Sequence, residues 1–178
     1  MIMRISNQTP SEPMNLLPPD SAKVDRIKNK QAEQLHLFET WARAGQWQNI
    51  HNAHYDWWMF PVNRPSAGYG ETYSVGKGEI QALKTDAAFM DNYRRGVVLV
   101  VNAWGWDLDQ DQPVKPSSDA QCWTGYGVRL AKMSDSLQLF DEKKLHQKLK
   151  RFFNDFCLPQ QRNIPISDLP WLNQSFNP

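Results

Sequence analysis

The sequence predicts an all-α fold, a single-domain irregular bundle of about five to six helices that ends in a helical hairpin. The length of 178 residues fits one domain with a sizeable core. The 12 prolines leave three proline-free stretches, 20–60, 66–112 and 117–158. Long helices can form there because proline disrupts helix interiors. Apolar residues recur at helical spacing within each stretch.

The first helix is predicted to start at Asp20 or Ser21, either of which can cap it, and to end at about Arg43, before Gly45. Its apolar stripe consists of Val24, Ile27, Leu35, Phe38 and Trp41. Gln31 and Gln34 interrupt the stripe, and the first half of the helix is mostly polar. We therefore expect the second half to dock more firmly than the first.

The middle of the chain predicts short helices around a loop. An aromatic element covers about 49–59, an irregular loop 61–76 and a short helix 77–83. The β-branched run 97–101 would by itself indicate a buried strand. Over a longer window the apolar spacing is three to four residues, so we predict a helix within 85–106 that stops at Gly105. Its stripe consists of Phe89, Tyr93, Val97, Val100 and Trp104.

The C-terminal third predicts two more helices, one over about 119–139 and one carrying the apolar stripe of 145–156. The link between them is so short that they should form an antiparallel hairpin. The predicted organisation is a flexible tail over 1–19, a helical domain over 20–157, and a proline-rich extension over 158–178 that packs on the surface.

Charge and composition exclude several classes of protein. A net charge of +1 argues against a dedicated nucleic-acid binder. The basic face of 143–162 could contact phosphates, but a solvated helix face is the better interpretation. No apolar run is long enough to span a membrane, and Cys122 and Cys157 belong to no Cys/His cluster. We expect a soluble, cytoplasmic protein without nucleic-acid or membrane partners, whose oligomeric state stays open.

Two loops resemble known motifs only superficially. The glycine-rich segment 70–78 has the wrong spacing for a phosphate-binding loop and lacks its Ser or Thr. Asp107, Asp109 and Asp111 alternate as in a calcium-binding loop, but the required Gly and closing Glu are missing. We therefore predict no cofactor, no metal site and no catalytic residue.

His51 and His54 lie about one helical turn apart, close to Asp56. Such a trio could serve a metal-dependent or His/Asp-dependent hydrolase or transferase, although the spacing differs from that of known zinc-binding helices. Because the neighbouring residues are aromatic, histidines in or at the rim of the core are the preferred interpretation.

The most unusual string is 55–61, with the sequence Tyr-Asp-Trp-Trp-Met-Phe-Pro. Rings at this density indicate a core anchor, since buried aromatic side chains contribute a large apolar area. The alternative is a groove, lined by Tyr55, Trp57 and Trp58, for a peptide or an apolar ligand.

This string is similar to the Asp-Tyr-Ile-Gln-Trp-Leu-Phe-Pro signature of the opioid growth factor receptor conserved region. The helix ending at 104–106 and the segment 126–139 also resemble, in the same order, the family's later helices, so that the resemblance covers about 37–156. The chain resembles a divergent, bacterial-type member, since Asp56, Asp135 and Phe140 depart from the family pattern. The resemblance implies an all-helical fold and no known catalysis.

The leading hypothesis is a non-enzymatic helical module that binds a protein, a peptide or a small apolar ligand. The aromatic excess supports it, together with the lack of any complete catalytic motif. Candidate binding residues are His51, His54, Tyr55, Trp57, Trp58 and Arg129, the last from the segment that resembles the family.

Overall fold

The described part of the chain is predominantly helical, with 65% of its residues in helices and 4% in strands. The computed structural model describes residues 18–163 and 169–176. The α-helices in this part are α1 (Ser21–Arg43), α2 (Trp47–Asn52), α3 (Asp56–Met59), α4 (Lys77–Thr85), α5 (Ala87–Ala103), α6 (Gly127–Leu139), α7 (Lys143–Phe152) and α8 (Leu169–Phe176). Two short strands, β1 (Trp106–Asp107) and β2 (Gln112–Pro113), pair in antiparallel fashion. The predicted all-α class is confirmed, with more helices than expected.

Helix α1 forms as its sequence predicts. The Asp20 side chain accepts a hydrogen bond from the Lys23 amide at 3.0 Å, which caps the first turn. Gly45, with a φ of +67°, reverses the chain after the last turn. Helix α1 packs chiefly on α5 and α3, and Gln31 and Gln34 are buried in that face together with the apolar stripe.

Residues 87–103 form helix α5, as predicted from the apolar spacing, and the β-branched run 97–101 lies within this helix rather than in a strand. The Asp86 side chain accepts from the Phe89 amide at 2.9 Å, and Gly105, with a φ of +92°, follows the end of α5. A Cβ atom at Gly96 would overlap the terminal methyl of Met59. The glycine therefore allows α3 to approach α5 closely.

Two segments differ from the predicted elements. The aromatic element over 49–59 divides into α2 and α3, separated by 53–55. The helix predicted from 119 begins only at Gly127. Trp123 has helical spacing to Tyr126, but it packs in the core against Trp104, with 5.4 Å between the ring centres. Gly125, with a φ of +89°, prevents a continuous helix between the two residues.

A helical hairpin ends the predicted domain. Helices α6 and α7 pack on each other and are joined by the turn 140–142, in which Asp141 has a φ of +58°. A π-helical turn (Phe153–Cys157) and a 3-10 helix (Leu158–Asn163) follow α7. Helix α8 then packs on α6 and buries Leu172 and Phe176.

The predicted terminal segments are only partly described. The tail over 1–19 lies outside the described residues except for Pro18 and Pro19, and so do 164–168 and 177–178 of the extension. None of the helices in the described part of the chain is long and apolar enough to cross a lipid bilayer.

The core is built largely from aromatic rings. Trp104 has no exposed surface and stacks between Tyr126 and Phe152, with ring centres 6.0 and 5.9 Å away and interplanar angles of 12°. A second group joins Tyr55, Phe60 and Tyr93 edge to face. These contacts connect α3, α5, α6 and α7, so the aromatic excess in the composition is largely a property of the core.

Candidate functional site

One face of α6 carries four polar side chains at helical spacing, Arg129, Lys132, Asp135 and Ser136, which we call the α6 row. Each contacts a point in 51–64, the segment that contains the aromatic string. The α6 row therefore fixes this segment to the body of the molecule and places its side chains.

Arg129 holds the end of α2. Its guanidinium donates to the carbonyl of His51 at 2.7 Å and to that of Ala53 at 3.1 Å. It also lies 4.9 Å from the ring centre of Tyr55 and 5.8 Å from that of Tyr126. The carbonyls at the end of a helix lack partners within the helix, and a cation compensates them well. The contacts of Arg129 are therefore those of a structural side chain.

Lys132 and Asp56 form a buried ion pair. The Lys132 Nζ atom lies 2.5 Å from Asp56 Oδ2 and 3.5 Å from the ring centre of Trp57. The two side chains are only 10% and 12% exposed. Asp56, which departs from the family signature, thus stands opposite a lysine from a distant part of the sequence.

A polar cleft opens at the end of the α6 row, between residues 63–64, α6 and α8. Its two adjoining parts have volumes of about 290 and 280 Å³ and share Arg64, Asp135 and Gln138. The first part is completed by Trp171, Gln174 and Ser175, the second by Asn63 and Leu139. We call it the Arg64 cleft.

The Arg64 side chain is held from two sides. Its Nη1 donates to Asp135 Oδ2 at 2.8 Å, and the guanidinium carbon lies 4.8 Å from the ring centre of Trp171. Asp135 accepts further hydrogen bonds from Trp171 Nε1 at 3.3 Å and from Ser175 Oγ at 2.7 Å. Asp135 is thus saturated, whereas the Arg64 side chain stays 38% exposed at the cleft.

Ser134 and His146 lie next to this cleft with 2.9 Å between Oγ and Nε2. Ser134 has no exposed surface, and its hydroxyl donates to the Ser175 carbonyl at 3.1 Å. Burial lowers the pKa of His146, and the hydrogen bond to the Ser175 carbonyl offsets this only partly. The pair anchors α8, since a nucleophilic serine needs an accessible oxygen.

The structure does not bring the three residues of the predicted His/Asp site to one hydrogen-bonded centre. His51 is buried, its Nε2 donates to the Ala120 carbonyl at 2.7 Å, and its ring stacks on Tyr126 at 4.8 Å. Burial lowers its pKa, which keeps the ring neutral at pH 7. His54 is exposed, and Asp56 is engaged by Lys132. Across the described ranges, no group of three or more His, Cys, Asp or Glu side chains could hold a metal ion.

Most side chains of the aromatic string lie in the core. Tyr55 is fully buried and Trp58 is 9% exposed, where it packs against Tyr69 and Tyr73. Trp57 is half-buried below Lys132. The hydrophobic effect favours burial of such large rings, so Tyr55 and Trp58 contribute to the core, and their predicted binding role stays a prediction.

The acidic hairpin of β1 and β2, which carries Asp107, Asp109 and Asp111, pairs with basic side chains of α7. Lys148 donates to the Leu108 carbonyl at 2.8 Å and lies 3.7 Å from Asp109, while Arg151 lies 2.5 Å from Asp111. Asp107 accepts from two amides of its own turn. These contacts engage Lys148 and Arg151 of the basic face with residues of the acidic hairpin.

Sequence reasoning missed the residues of the Arg64 cleft. The spacing of the charged residues at 129, 132 and 135 places them on one face of a helix, so the polar row itself could have been predicted from the sequence. Their partners lie more than 70 positions away, and no local pattern joins Arg64 to Asp135 or to Trp171.

Comparison of this chain with family models, with curated proteins and with solved structures gives no match. The similarity to the opioid growth factor receptor conserved region accordingly stays a prediction that rests on the motif residues alone.

Proposed function

We propose that this chain is a non-enzymatic helical binding module and that the Arg64 cleft binds a segment of polypeptide. The observation that carries the proposal is the placement of Arg64. Its guanidinium is fixed by Asp135 and by the Trp171 ring, while the side chain as a whole stays 38% exposed and lines both parts of the cleft. Its buried Nη2 has no hydrogen-bond partner within the described residues. A donor group that is ordered before binding loses less conformational entropy when a ligand arrives.

The composition of the cleft favours a peptide over a small apolar ligand. Gln174 is an exposed amide that can both donate and accept hydrogen bonds, as the backbone of an extended peptide requires. The exposed Gln138 donates to the Ser175 carbonyl at 2.7 Å, and its amide oxygen can accept from a ligand. Arg64 supplies donors for a peptide carbonyl or carboxylate. The two parts of the cleft share Arg64, Asp135 and Gln138, so together they offer room for a ligand longer than either part alone would hold.

The proposal places the module in the cytoplasm. The described cysteines, Cys122 and Cys157, are both free thiols, which suits a reducing compartment. The resemblance to a family without known catalysis agrees with a binding role. The saturation of Asp135 by three donors agrees with it too, because a carboxylate held in this way is suited to positioning Arg64.

The test is a selection of random dodecapeptides displayed on phage against the full chain, followed by fluorescence polarisation with the enriched peptides. We expect Arg64→Ala to weaken their binding about tenfold or more, which corresponds to about 1.4 kcal/mol. Gln174→Ala should weaken it to a smaller extent. The matched control is Arg95→Ala, which removes an exposed guanidinium paired with Glu39 on the α1–α5 side.

Two outcomes would overturn the proposal. One is the absence of any enriched peptide. The other is a set of peptides whose affinity is the same for the wild type, Arg64→Ala and Gln174→Ala. Because Gln174 is exposed, its substitution tests the cleft even if Arg64→Ala reduces stability.

A further inference from the structure

The interface between α1 and α5 contains a buried polar side chain, that of Gln31. This side chain is 0% exposed, and neither its Oε1 nor its Nε2 hydrogen-bonds to any residue of the described chain. Buried amide groups nearly always have hydrogen-bond partners, since an unpaired one is costly. Gln34 Nε2 on the same helix is unpaired as well, but Gln31 lacks partners for both polar atoms and borders a cleft, so it can take a partner from outside the chain.

Gln31 borders a cleft of about 220 Å³ between α1 and the first turns of α5. Lys28 and Asp86 form an ion pair of 2.5 Å between these two elements. Asn29, Phe89 and Asn92 also line the cleft. The volume lies below the range of about 300–1,000 Å³ for drug-sized ligands, so it fits a smaller molecule.

The lining defines the chemistry of such a molecule. Lys28 and Asp86 neutralise each other, which leaves no net charge to select an ion. The amides of Asn29, Gln31 and Asn92 each offer a donor beside an acceptor. Their complement is a planar group with the same pair of functions, as in a carboxamide or the edge of a nucleobase.

We propose that this cleft binds a small neutral molecule with a planar edge that carries a hydrogen-bond donor next to an acceptor, and that Gln31 is its central contact. Because Gln31 is fully buried in the free chain, the proposal requires its amide to turn toward the cleft on binding. Binding then supplies the hydrogen bonds that Gln31 lacks in the free chain. This site is separate from the Arg64 cleft and does not depend on it.

The test is a ¹⁵N NMR titration of the full chain with two probes, benzamide and adenine, which distinguish a carboxamide from a nucleobase. We expect shifts confined to amides near Gln31 on α1 and near Asn92 on α5. Gln31→Leu should weaken binding at least about tenfold, the cost of losing a well-paired polar contact. Gln34→Leu is the matched control, because Gln34 is also buried on α1 but does not border the cleft.

The proposal is supported if either probe shifts these amide signals in the wild type and in Gln34→Leu but not in Gln31→Leu. The probe that binds then shows whether the ligand is a carboxamide or a nucleobase. The proposal is overturned if neither probe shifts these amides up to its solubility limit. It is also overturned if both probes bind Gln31→Leu as well as the wild type. Asn92→Ala, at a half-buried position on the cleft, gives a second variant that should weaken binding severalfold even if Gln31→Leu fails to fold.

Discussion

The ion pair between Lys132 and Asp56 is the interaction whose energetics depend most on burial. Taking two charges out of water carries a large desolvation cost, which is compensated only while both partners are present. The Trp57 ring, 3.5 Å from Lys132 Nζ, adds a cation–π contact. Loss of one partner leaves the other charge buried and unpaired, so a single substitution should be far more harmful than a double one.

We predict that Lys132→Met destabilises the fold by about 3 kcal/mol. The double variant Lys132→Met with Asp56→Asn should recover more than half of that loss, because no buried charge remains. Urea denaturation of the wild type and of each variant measures the difference. Lys143→Met, at an exposed position on α7, is the control and should stay within about 0.5 kcal/mol of the wild type. Equal losses in the single and double variants would contradict this interpretation of the pair.

At the scale of elements, α8 is the helix that sequence reasoning placed least well. The predicted surface extension over 158–178 contains a helix whose Leu172 and Phe176 reach the core. The Phe176 ring stacks on Phe153 at 4.9 Å and approaches His146 at 5.6 Å. Helix α8 also supplies Trp171 and Ser175 to the Arg64 cleft, so the first part of that cleft forms only when α8 is docked.

We predict that Phe176→Ala costs about 3 kcal/mol of folding free energy, as expected for a buried phenylalanine. Gln174→Ala, on the exposed face of the same helix, should cost less than about 0.5 kcal/mol. Urea denaturation monitored by tryptophan fluorescence compares the two variants. A loss below about 1 kcal/mol for Phe176→Ala would mean that α8 does not dock as described.

The elements show what periodicity can and cannot predict. Helices α1 and α5 follow from apolar spacing together with Asp20 and Asp86 as caps, because these signals are local. Residues 119–126 have the same spacing but no helix, since the place of Trp123 is set by its contact with Trp104. The Arg64 cleft could not be predicted for the same reason, as it depends on contacts between distant segments.

At the scale of the whole molecule, two half-buried or buried histidines link stability to pH. Burial lowers the pKa of His51 and of His146 from the ordinary value of 6.5. The unfolded chain therefore binds more protons than the folded chain once the pH falls below about 6.5. Their contribution to stability is fully present above that value and is lost as the pH falls through it toward the lower pKa values of the folded state.

We predict that the urea midpoint changes little between pH 7.5 and about pH 6.5, falls from there to pH 5.5, and falls less in His146→Gln. The lowered pKa values of Glu79, bonded by the Asp20 amide, and of Asp86, bonded by Lys28, act only at more acidic pH. The window above pH 5 therefore reports on the histidines. A midpoint that rises or stays constant over this window would contradict the assignment.

The α6 row also has a consequence for the order in which the molecule folds. Its hydrogen bonds join residues that are 71 to 78 positions apart. Closing a chain loop of that length costs on the order of 4 kcal/mol of entropy, but only for the first contact. Once one pair of the row has formed, each neighbouring pair has to close only a short loop, so the remaining contacts cost much less entropy. The contacts between α1 and α5 also join distant positions, such as Lys28 with Asp86, so they require loop closure as well. The Arg64 cleft joins residues 63–64 to α6 and α8, so it cannot form before these distant segments have met.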